Sequence, residues 1–548
     1  MKKELLVSTL AYLSSCSLLH ASPIGLTTSK LDIATDLNMQ RQKEAYLSAL
    51  TNSTQSGEGL PNILIILADD LSRQDLSCYK ESHKKISTPN IDKLASGGVL
   101  FENCYASAPI CAPSRAGLIT GRDQNRFGFC SQPMQKYAKS NLEYAIYKQV
   151  VARDNMRPVP NKFVPTKKQI KLQGLPSSEI TIADMLSARS YNSALIGKWH
   201  LGYESEKNPL EFGFATHYGF TEAFSLYAKK SNSSIIYKPI NLFSERHIYR
   251  QGRRGTSAIL HNKKVVSEDE HLTDAFTNQT ISFIKNSTKQ NPNRPFFVLS
   301  SFNAPHTPYQ PLKKYYNQLD HIEDENFRAY LALVKHLDDS VGKIYSYLEE
   351  ASLLDNTLII FTSDNGAATY TKASFSDPLK GGKFSLWEGG TRVPALFYWK
   401  NKFDDGKRVC DPITLLDIFS TVADITNTPL ESSREYDGIS LAPILMGRSS
   451  TLPKRSLYWQ MVYVGAILDG NYKLIHNSRD KSYLLYDLKN DPYEKNDLSL
   501  KLPEQVKELE TKLRLWQSTL HKPLWPHVME YNYIDSDKTT SKDNWYPL

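Results

Sequence analysis

The stretch Pro61-Asn62-Ile63-Leu64-Ile65-Ile66-Leu67 is a short apolar run, and two adjacent carboxylates, Asp69 and Asp70, follow it. Such a run is typical of a strand that is buried on both faces of a parallel sheet. Ligands of parallel sheets collect at the carboxyl ends of the strands, so the two carboxylates are placed to bind a hard cation. They could equally cap the next helix, and taken alone the pair is more typical of a cap.

Apolar runs recur along the chain, with helical patterns between them, for instance at 181–188 and 274–285. This alternation predicts an α/β fold with a large, mostly parallel sheet flanked by helices. Beyond residue 431 the pattern changes to short alternating segments followed by a helix at 503–516, which predicts a smaller antiparallel sheet plus helix. We therefore expect a catalytic α/β domain at 60–430 and a small α+β domain at 431–548. The further runs are 193–196, 296–300, 358–362 and 395–399, and the alternating segments are 456–464, 465–475 and 483–488.

A second pair of oxygen-bearing side chains follows the run at 358–362. Asp364 and Asn365 lie in the segment Ser-Asp-Asn-Gly, which is favourable turn chemistry and needs no other explanation in isolation. If both runs form strands of one sheet, their oxygens could instead complete an oxygen-rich Ca2+ or Mg2+ site with the first pair of carboxylates.

The composition is that of a globular protein, with 40% hydrophobic and 23% charged residues, and this argues against a disordered or fibrous chain. Two stretches carry an excess of positive charge: nine Lys and Arg against two acidic residues at 131–173, and nine against one at 227–264. Since the whole chain has a net charge of only +8, the rest of it is acidic. We predict inserted loops here, facing an anionic partner: nucleic acid, an acidic membrane or a polyanionic substrate.

The first 21 residues are typical of a signal peptide, because two lysines precede an apolar stretch at 5–13 and Ala21 suits cleavage. A bacterial lipoprotein leader ending at residue 15 is the alternative, and it would leave Cys16 as a lipid anchor. A polar segment follows at 22–59. We therefore expect export to the periplasm, the cell surface or the medium, and no transmembrane span. The signal-peptide alternative leaves five cysteines, and their pairing stays open.

The most specific pattern is Cys-x-Pro-Ser-Arg from Cys111 to Arg115, followed by Leu-x-Thr-Gly-Arg from Leu118 to Arg122. At this spacing it resembles the signature of the type I, formylglycine-dependent sulfatases of the alkaline-phosphatase-like superfamily. Further segments that resemble this family, in the same order along the chain, are 61–71, 88–92, 197–202, 304–306, 380–383, 388–394 and 486–488.

The resemblance implies hydrolysis of sulfate esters through a covalent sulfate-enzyme intermediate on a formylglycine hydrate, which a separate maturation enzyme forms from Cys111. It implies a cation, Ca2+ rather than Mg2+, at Asp69, Asp70, Asp364, Asn365 and residue 111. It also implies roles for five further side chains. Arg115 would turn back toward the hydrate, Lys198 would orient it, His200 would take the proton that releases sulfate, and His306 and Lys383 would bind the sulfate and neutralise or protonate the leaving oxygen.

Lys198 and His200 are expected to share one face of an extended segment, because residues two apart on a strand do so. The substrate favoured by an exported enzyme with cationic, aromatic loops is a sulfated carbohydrate rather than nucleic acid. Three alternatives remain: a small-molecule arylsulfatase, a phosphonate or phosphodiester hydrolase on the same fold, and a non-catalytic sulfated-glycan binding protein that lacks maturation.

Overall fold

The computed structural model describes residues 36–53, 59–133, 137–138, 140–152, 156–159, 164–237, 243–532 and 545–547. The predicted leader, including the anchor alternative at Cys16, lies outside these residues. Among the residues described, no helix combines the length and the apolar character that crossing a bilayer requires. The five cysteines in the described part of the chain are free thiols.

Eleven strands form the main sheet, a second sheet has four strands, and a third has three. The strands are β1 (Asn62–Asp69), β2 (Val99–Tyr105), β3 (Met156–Pro158), β4 (Asn192–Lys198), β5 (Thr216–Phe220), β6 (Leu260–His261), β7 (Lys264–Val265), β8 (Phe296–Pro305), β9 (Thr357–Ser363), β10 (Arg392–Tyr398), β11 (Lys407–Val409), β12 (Ile413–Thr414), β13 (Ser456–Met461), β14 (Val464–Asp469), β15 (Tyr472–Asn477), β16 (Ser482–Asp487), β17 (Met529–Asn532) and β18 (Trp545–Pro547).

Several helices pack on the two faces of the main sheet, and the described residues form fourteen α-helices in all. They are α1 (Leu37–Asn52), α2 (Pro89–Ser96), α3 (Cys111–Thr120), α4 (Asn141–Val151), α5 (Lys167–Lys171), α6 (Ile182–Ala188), α7 (Phe243–Gln251), α8 (Leu272–Gln290), α9 (Lys313–Tyr316), α10 (Glu325–Glu350), α11 (Glu388–Thr391), α12 (Asp417–Ile425), α13 (Ala442–Leu445) and α14 (Pro503–Gln517).

The main sheet has the order β11-β2-β10-β9-β1-β8-β4-β5-β6-β7, with β12 beside β2. Its centre is parallel, because β9, β1, β8, β4 and β5 pair in parallel, whereas β10 is antiparallel to both of its neighbours. Every residue of β1 is buried. Ile63 and Ile65 pack with the helices of one face, and Leu64 and Ile66 with those of the other. The predicted α/β class with a large helix-flanked sheet is therefore confirmed, as a mixed sheet with a parallel centre.

The C-terminal region contains the predicted antiparallel sheet, β13 to β16 in sequence order, with α14 packed on it. Residues 465–475 contain the turn sequence Asp469-Gly470-Asn471, which predicts a break, and they form the two strands β14 and β15. Gly470, with a φ of 58°, closes the tight turn between them.

The two basic insertions are not plain loops. The first contains α4, whose N-cap is Ser140, and β3, which pairs with β17 near the C-terminus. The second contains α7. The polar segment at 22–59 likewise contains α1, which is fixed to the sheet domain by an ion pair of 2.7 Å between Lys43 and Asp184. These segments are rich in polar and basic residues, a composition that is typical of solvated loops and that conceals helices in a sequence.

Candidate active site

Cys111 is the first residue of α3, a helix that is buried along its whole length. Its Sγ lies 3.1 Å from Lys383 Nζ and 3.4 Å from Asp69 Oδ1. Burial, together with the negative charge of Asp364, raises the pKa of the thiol well above its ordinary value. Since the thiolate is the nucleophilic form of cysteine, this shift disfavours nucleophilic attack by an unmodified thiol at residue 111.

The two pairs of oxygen-bearing side chains meet at the carboxyl edge of the sheet, because β1 and β9 are adjacent parallel strands. The backbone N–H of Asp70 donates to Asp364 Oδ1 at 3.3 Å. The side chain of Asn365 donates from Nδ2 to Asp70 Oδ1 at 2.7 Å. A φ of 63° at Asp70 turns the chain sharply at the end of the strand, and this places Asp69 and Asp70 as neighbours of residue 111.

Each carboxylate of the site has a cationic partner at 2.7 Å or less, and Arg115 Nη2 also lies 3.8 Å from Asp69 Oδ2. All six side chains are at most 4% exposed. Burial disfavours the charged form of Asp69 and Asp70, but the lysines beside them outweigh it and hold the pKa of both carboxyls below the usual range. Burial and the negative charge of Asp69 raise the pKa of Asp364, against the opposing charge of Arg115. With Asp364 ionised in its contact with Arg115, three negative and three positive charges balance. The pairs are Lys198 Nζ with Asp69 Oδ2 (2.6 Å), Lys383 Nζ with Asp70 Oδ1 (2.7 Å) and Arg115 Nε with Asp364 Oδ2 (2.7 Å).

Ser301 is a contributor that the sequence reading missed. Its Oγ accepts a hydrogen bond of 2.7 Å from Arg115 Nη1 and donates to the Lys198 carbonyl at 2.6 Å. It thereby fixes the guanidinium beside the end of β4. A polar serine within the apolar strand β8, three residues before Ala304-Pro305-His306, was the available signal.

His200 does not lie on the same strand as Lys198. The strand β4 ends at Lys198, and His200 has a left-handed φ of 61°, so the expected two-residue alternation on an extended segment is wrong. A left-handed residue reverses the chain, and both ring nitrogens of His200 are buried without a hydrogen-bond partner among the residues that the structure describes. Burial and the surrounding cations, Lys198 and Arg115 foremost, lower the pKa of His200 well below its ordinary value, so the imidazole is neutral.

Asp69, Asp70, Cys111 and His306 can bring one ligand atom each within 4.8 Å of one another. These donor atoms suit a metal. The amide oxygen of Asn365, which is buried and has no hydrogen-bond partner within the described part of the chain, is a further possible ligand. Carboxylate and amide oxygens are the ligands that hard cations such as Ca2+ take. The residues therefore fit the metal that the resemblance implies.

Comparison with known proteins agrees with this geometry. The family model Sulfatase matches residues 61–428. Human N-acetylgalactosamine-6-sulfatase is 30% identical over 399 residues, covering 72% of this chain and 67% of that protein. N-acetylgalactosamine-6-O-sulfatase of Bacteroides thetaiotaomicron is 27% identical over 535 residues, covering 85% and 95% respectively.

Among solved structures, the fold is similar to the crystal structure of Ps i-CgsB in complex with k-i-k-neocarrahexaose. The TM-score is 0.70 at 29% identity, and the match covers 85% of this chain and 94% of that one. The family match spans most of the chain and includes the motif at residue 111. The chain belongs to the sulfatase family and is a sulfuric ester hydrolase.

Proposed function

We propose that this sulfatase removes sulfate esters from a sulfated carbohydrate, using a formylglycine hydrate formed from Cys111 and a bound Ca2+. The observation that carries the proposal is the buried, charge-balanced cluster around residue 111. Three carboxylates already offset three cations, so a divalent cation would leave the site with excess positive charge. Such an excess suits an anionic sulfate ester, and it acts strongly because the site is buried.

The chain's own residues suit the steps of this reaction. Converted to formylglycine, residue 111 supplies one hydroxyl that attacks sulfur and a second that allows sulfate to leave. Lys198 orients that group from its position beside Asp69. A neutral His200, whose ring nitrogens make no hydrogen bond to the described residues, can take up a proton when sulfate is released. His306 and Lys383 bind the sulfate and neutralise or protonate the leaving oxygen.

The cation would be held by Asp69, Asp70, Asp364 and Asn365, with residue 111 as a further ligand. When bound, it polarises a sulfate oxygen and lowers the pKa of the attacking hydroxyl. An all-oxygen protein site favours Ca2+ over Mg2+, since Mg2+ usually keeps several of its waters.

Three similar proteins support a carbohydrate substrate. Two of them are named for N-acetylgalactosamine, and the third was solved in complex with k-i-k-neocarrahexaose. The alternatives are a small aryl sulfate, a phosphonate or phosphodiester, and a binding protein without maturation. Export with a signal peptide or lipid anchor, and conversion by a maturation enzyme that reads Pro113 and Arg115, also belong to the proposal.

The first test is the intact mass of peptides from purified, active protein. We expect the peptide containing Cys111 to be lighter than its sequence mass by the change from thiol to aldehyde. The peptide containing Cys104, a buried cysteine seven residues earlier, should keep its sequence mass. Sulfatase activity in a preparation whose residue 111 is entirely thiol would contradict the mechanism.

The second test compares desulfation of defined sulfated oligosaccharides, a small aryl sulfate and an aryl phosphonate by the converted protein. The proposal expects the highest kcat/KM on an oligosaccharide. Efficient turnover of the aryl sulfate alone would contradict the carbohydrate substrate and favour a small-molecule arylsulfatase. Turnover of the phosphonate alone would contradict sulfate-ester hydrolysis and favour phosphonate hydrolysis.

A further inference from the structure

The second insertion reaches the active site through a buried phenol. Tyr227, at the start of that insertion, is 0% exposed. Its hydroxyl oxygen lies 2.6 Å from the carbonyl oxygen of Asn303 and 2.8 Å from that of His306. Both carbonyls belong to the turn that follows the apolar part of β8 and carries the His306 side chain into the site.

The phenol closes this turn. The backbone N–H of His306 donates to the Asn303 carbonyl at 2.9 Å, so the two carbonyls that Tyr227 contacts are the two ends of the turn. Burial, reinforced by the charge of Asp69, raises the pKa of Tyr227 well above its usual value, so the hydroxyl keeps its proton and donates. The imidazole that this turn presents has its Nε2 3.6 Å from Asp70 Oδ2.

Tyr227 is itself held rigidly. Its backbone N–H donates to Gln310 Oε1 at 2.9 Å, and its ring stacks on His271 with centroids 5.1 Å apart. The Nε2 of His271 lies 2.9 Å from the Gln310 carbonyl, which closes a ring of contacts. Arg253 donates to the Tyr227 carbonyl at 2.5 Å. One cation of the basic insertion thus supports the phenol instead of facing a ligand.

We propose that Tyr227 is a positioning residue, which sets the position and orientation of the His306 imidazole in the site by closing the turn between Asn303 and His306. The proposal rests on the proposed role of His306 at the leaving oxygen. No other contact described at these two carbonyls comes from outside the turn, and a turn left open would let the imidazole shift relative to Asp70.

This role predicts a dependence on the leaving group. A sugar alkoxide is a poor leaving group and needs a well-placed proton or positive charge, whereas a nitrophenolate leaves without one. Removing the hydroxyl while keeping the ring should therefore slow the desulfation of a sugar sulfate much more than that of an activated aryl sulfate. Loss of a supporting hydrogen bond of this kind typically lowers activity about 10- to 100-fold.

The test is Tyr227→Phe, which keeps the stacking on His271. Tyr249→Phe is the matched control, because Tyr249 is buried in the same insertion and its hydroxyl has no hydrogen-bond partner among the described residues. With converted residue 111, we measure kcat/KM on a sulfated oligosaccharide and on nitrophenyl sulfate, the unfolding temperature, and amide hydrogen exchange at His306.

We expect Tyr227→Phe to lose about 10- to 100-fold on the oligosaccharide and only a few-fold on the aryl ester, with faster exchange at the His306 amide. The unfolding temperature should fall by only a few degrees, because a buried carbonyl loses its donor. Tyr249→Phe should match the unsubstituted protein. Equal losses on both esters, or no loss on either, would overturn the inference. If the unsubstituted protein turned over neither ester, the proposed function would fail, and unchanged exchange at His306 would then overturn the positioning role separately.

Discussion

Asn365 shows how one side chain can indicate a ligand. Its Nδ2 donates to Asp70 Oδ1 and to the Gly366 carbonyl, whereas its Oδ1 is buried without a hydrogen-bond partner in the described part of the chain. Leaving a buried acceptor unpaired costs about 1–3 kcal/mol. Coordination of a cation would satisfy this oxygen. The two hydrogen bonds that Nδ2 donates fix the orientation of the amide and therefore the direction in which Oδ1 points.

We therefore expect Ca2+ to stabilise the protein, by about 2.7 kcal/mol when its concentration is a hundred times its Kd. Asn365→Ala should lose most of this gain, because one ligand is removed and the restraint on Asp70 is weakened. Asn317→Ala, at an exposed position, is the control. The measurement is the unfolding temperature against Ca2+ concentration, with Mg2+ for comparison. Equal stabilisation of all three proteins by Ca2+ would exclude Asn365 as a ligand.

At the residue scale, the positions in the site were predictable and their geometry was not. The motif at residue 111 could be named from the sequence because its spacing matches the signature of a known family. The carboxylates could be named because they directly follow apolar runs that are typical of buried parallel strands. The left-handed backbone of His200 could not, since a non-glycine residue with φ of 61° depends on the surrounding fold. Tyr227 lay 76 residues from Asn303, and only the fold brings them together.

Among the elements, α11 and β15 are joined by a buried ionic contact that ties the C-terminal sheet to the catalytic domain. Lys473 Nζ lies 2.8 Å from Glu388 Oε1 and 3.1 Å from Glu494 Oε1. Glu494 also accepts a hydrogen bond of 2.8 Å from the Glu388 backbone N–H. The single ammonium group of Lys473 thus contacts two carboxylates. Burial raises the pKa of Glu494 to about 7.

This contact predicts a pH-dependent stability. The folded-state pKa of Glu494 lies above its ordinary 4.5, so the native state binds the additional proton. The contribution of Glu494 to the free energy of unfolding therefore falls by roughly 3 kcal/mol as pH rises from about 4.5 to about 7. Glu388 titrates below this window, because Lys473 and Arg392 outweigh burial and lower its pKa.

Glu494→Gln, which stays neutral, should remove this slope, so that it loses less stability than the unsubstituted protein between pH 5 and pH 8, roughly the limits of the window. Glu504→Gln, on the exposed surface of α14, is the matched control. Denaturant unfolding at a series of pH values measures the difference. Parallel stability curves for Glu494→Gln and the unsubstituted protein would show that Glu494 is ionised throughout.

The predictability of an element depended on its burial. The strands β1 and β9 were located from continuous apolar runs, because both of their faces are covered. In the first insertion, Leu142, Ile146 and Val150 are spaced by four residues, which is a helical period, yet they lie on the exposed side of α4. Because these apolar residues face solvent and lie among basic ones, the sequence of this insertion is typical of a loop, and the helix is not evident from it.

For the whole molecule, the structure divides the positive charge of the second insertion into two groups. Some cations are used locally: Lys229 pairs with Asp269, and Lys263 pairs with Glu211 at 2.7 Å. Arg250 lies on the exposed face of α7. The same helix approaches the site, because Glu245 Oε1 lies 3.4 Å from Thr307 Oγ1, next to His306.

Arg250 lies about 8 Å along α7 from Glu245, close enough to act on sulfates of a long substrate that extends from the site. Reversing its charge should weaken binding by roughly 1 kcal/mol at low salt, which is about a fivefold rise in KM on a multiply sulfated oligosaccharide. The effect should shrink above about 0.15 M salt, where the screening length falls to about 8 Å. The measurement is KM against salt concentration for Arg250→Glu, compared with Lys507→Glu, which makes the same charge change on the exposed side of α14.

A monosulfated aryl ester should respond less than the oligosaccharide to Arg250→Glu, because it has no second sulfate near α7. Equal rises in KM for both variants would mean that the net charge of the protein, and not the face of α7, attracts the substrate.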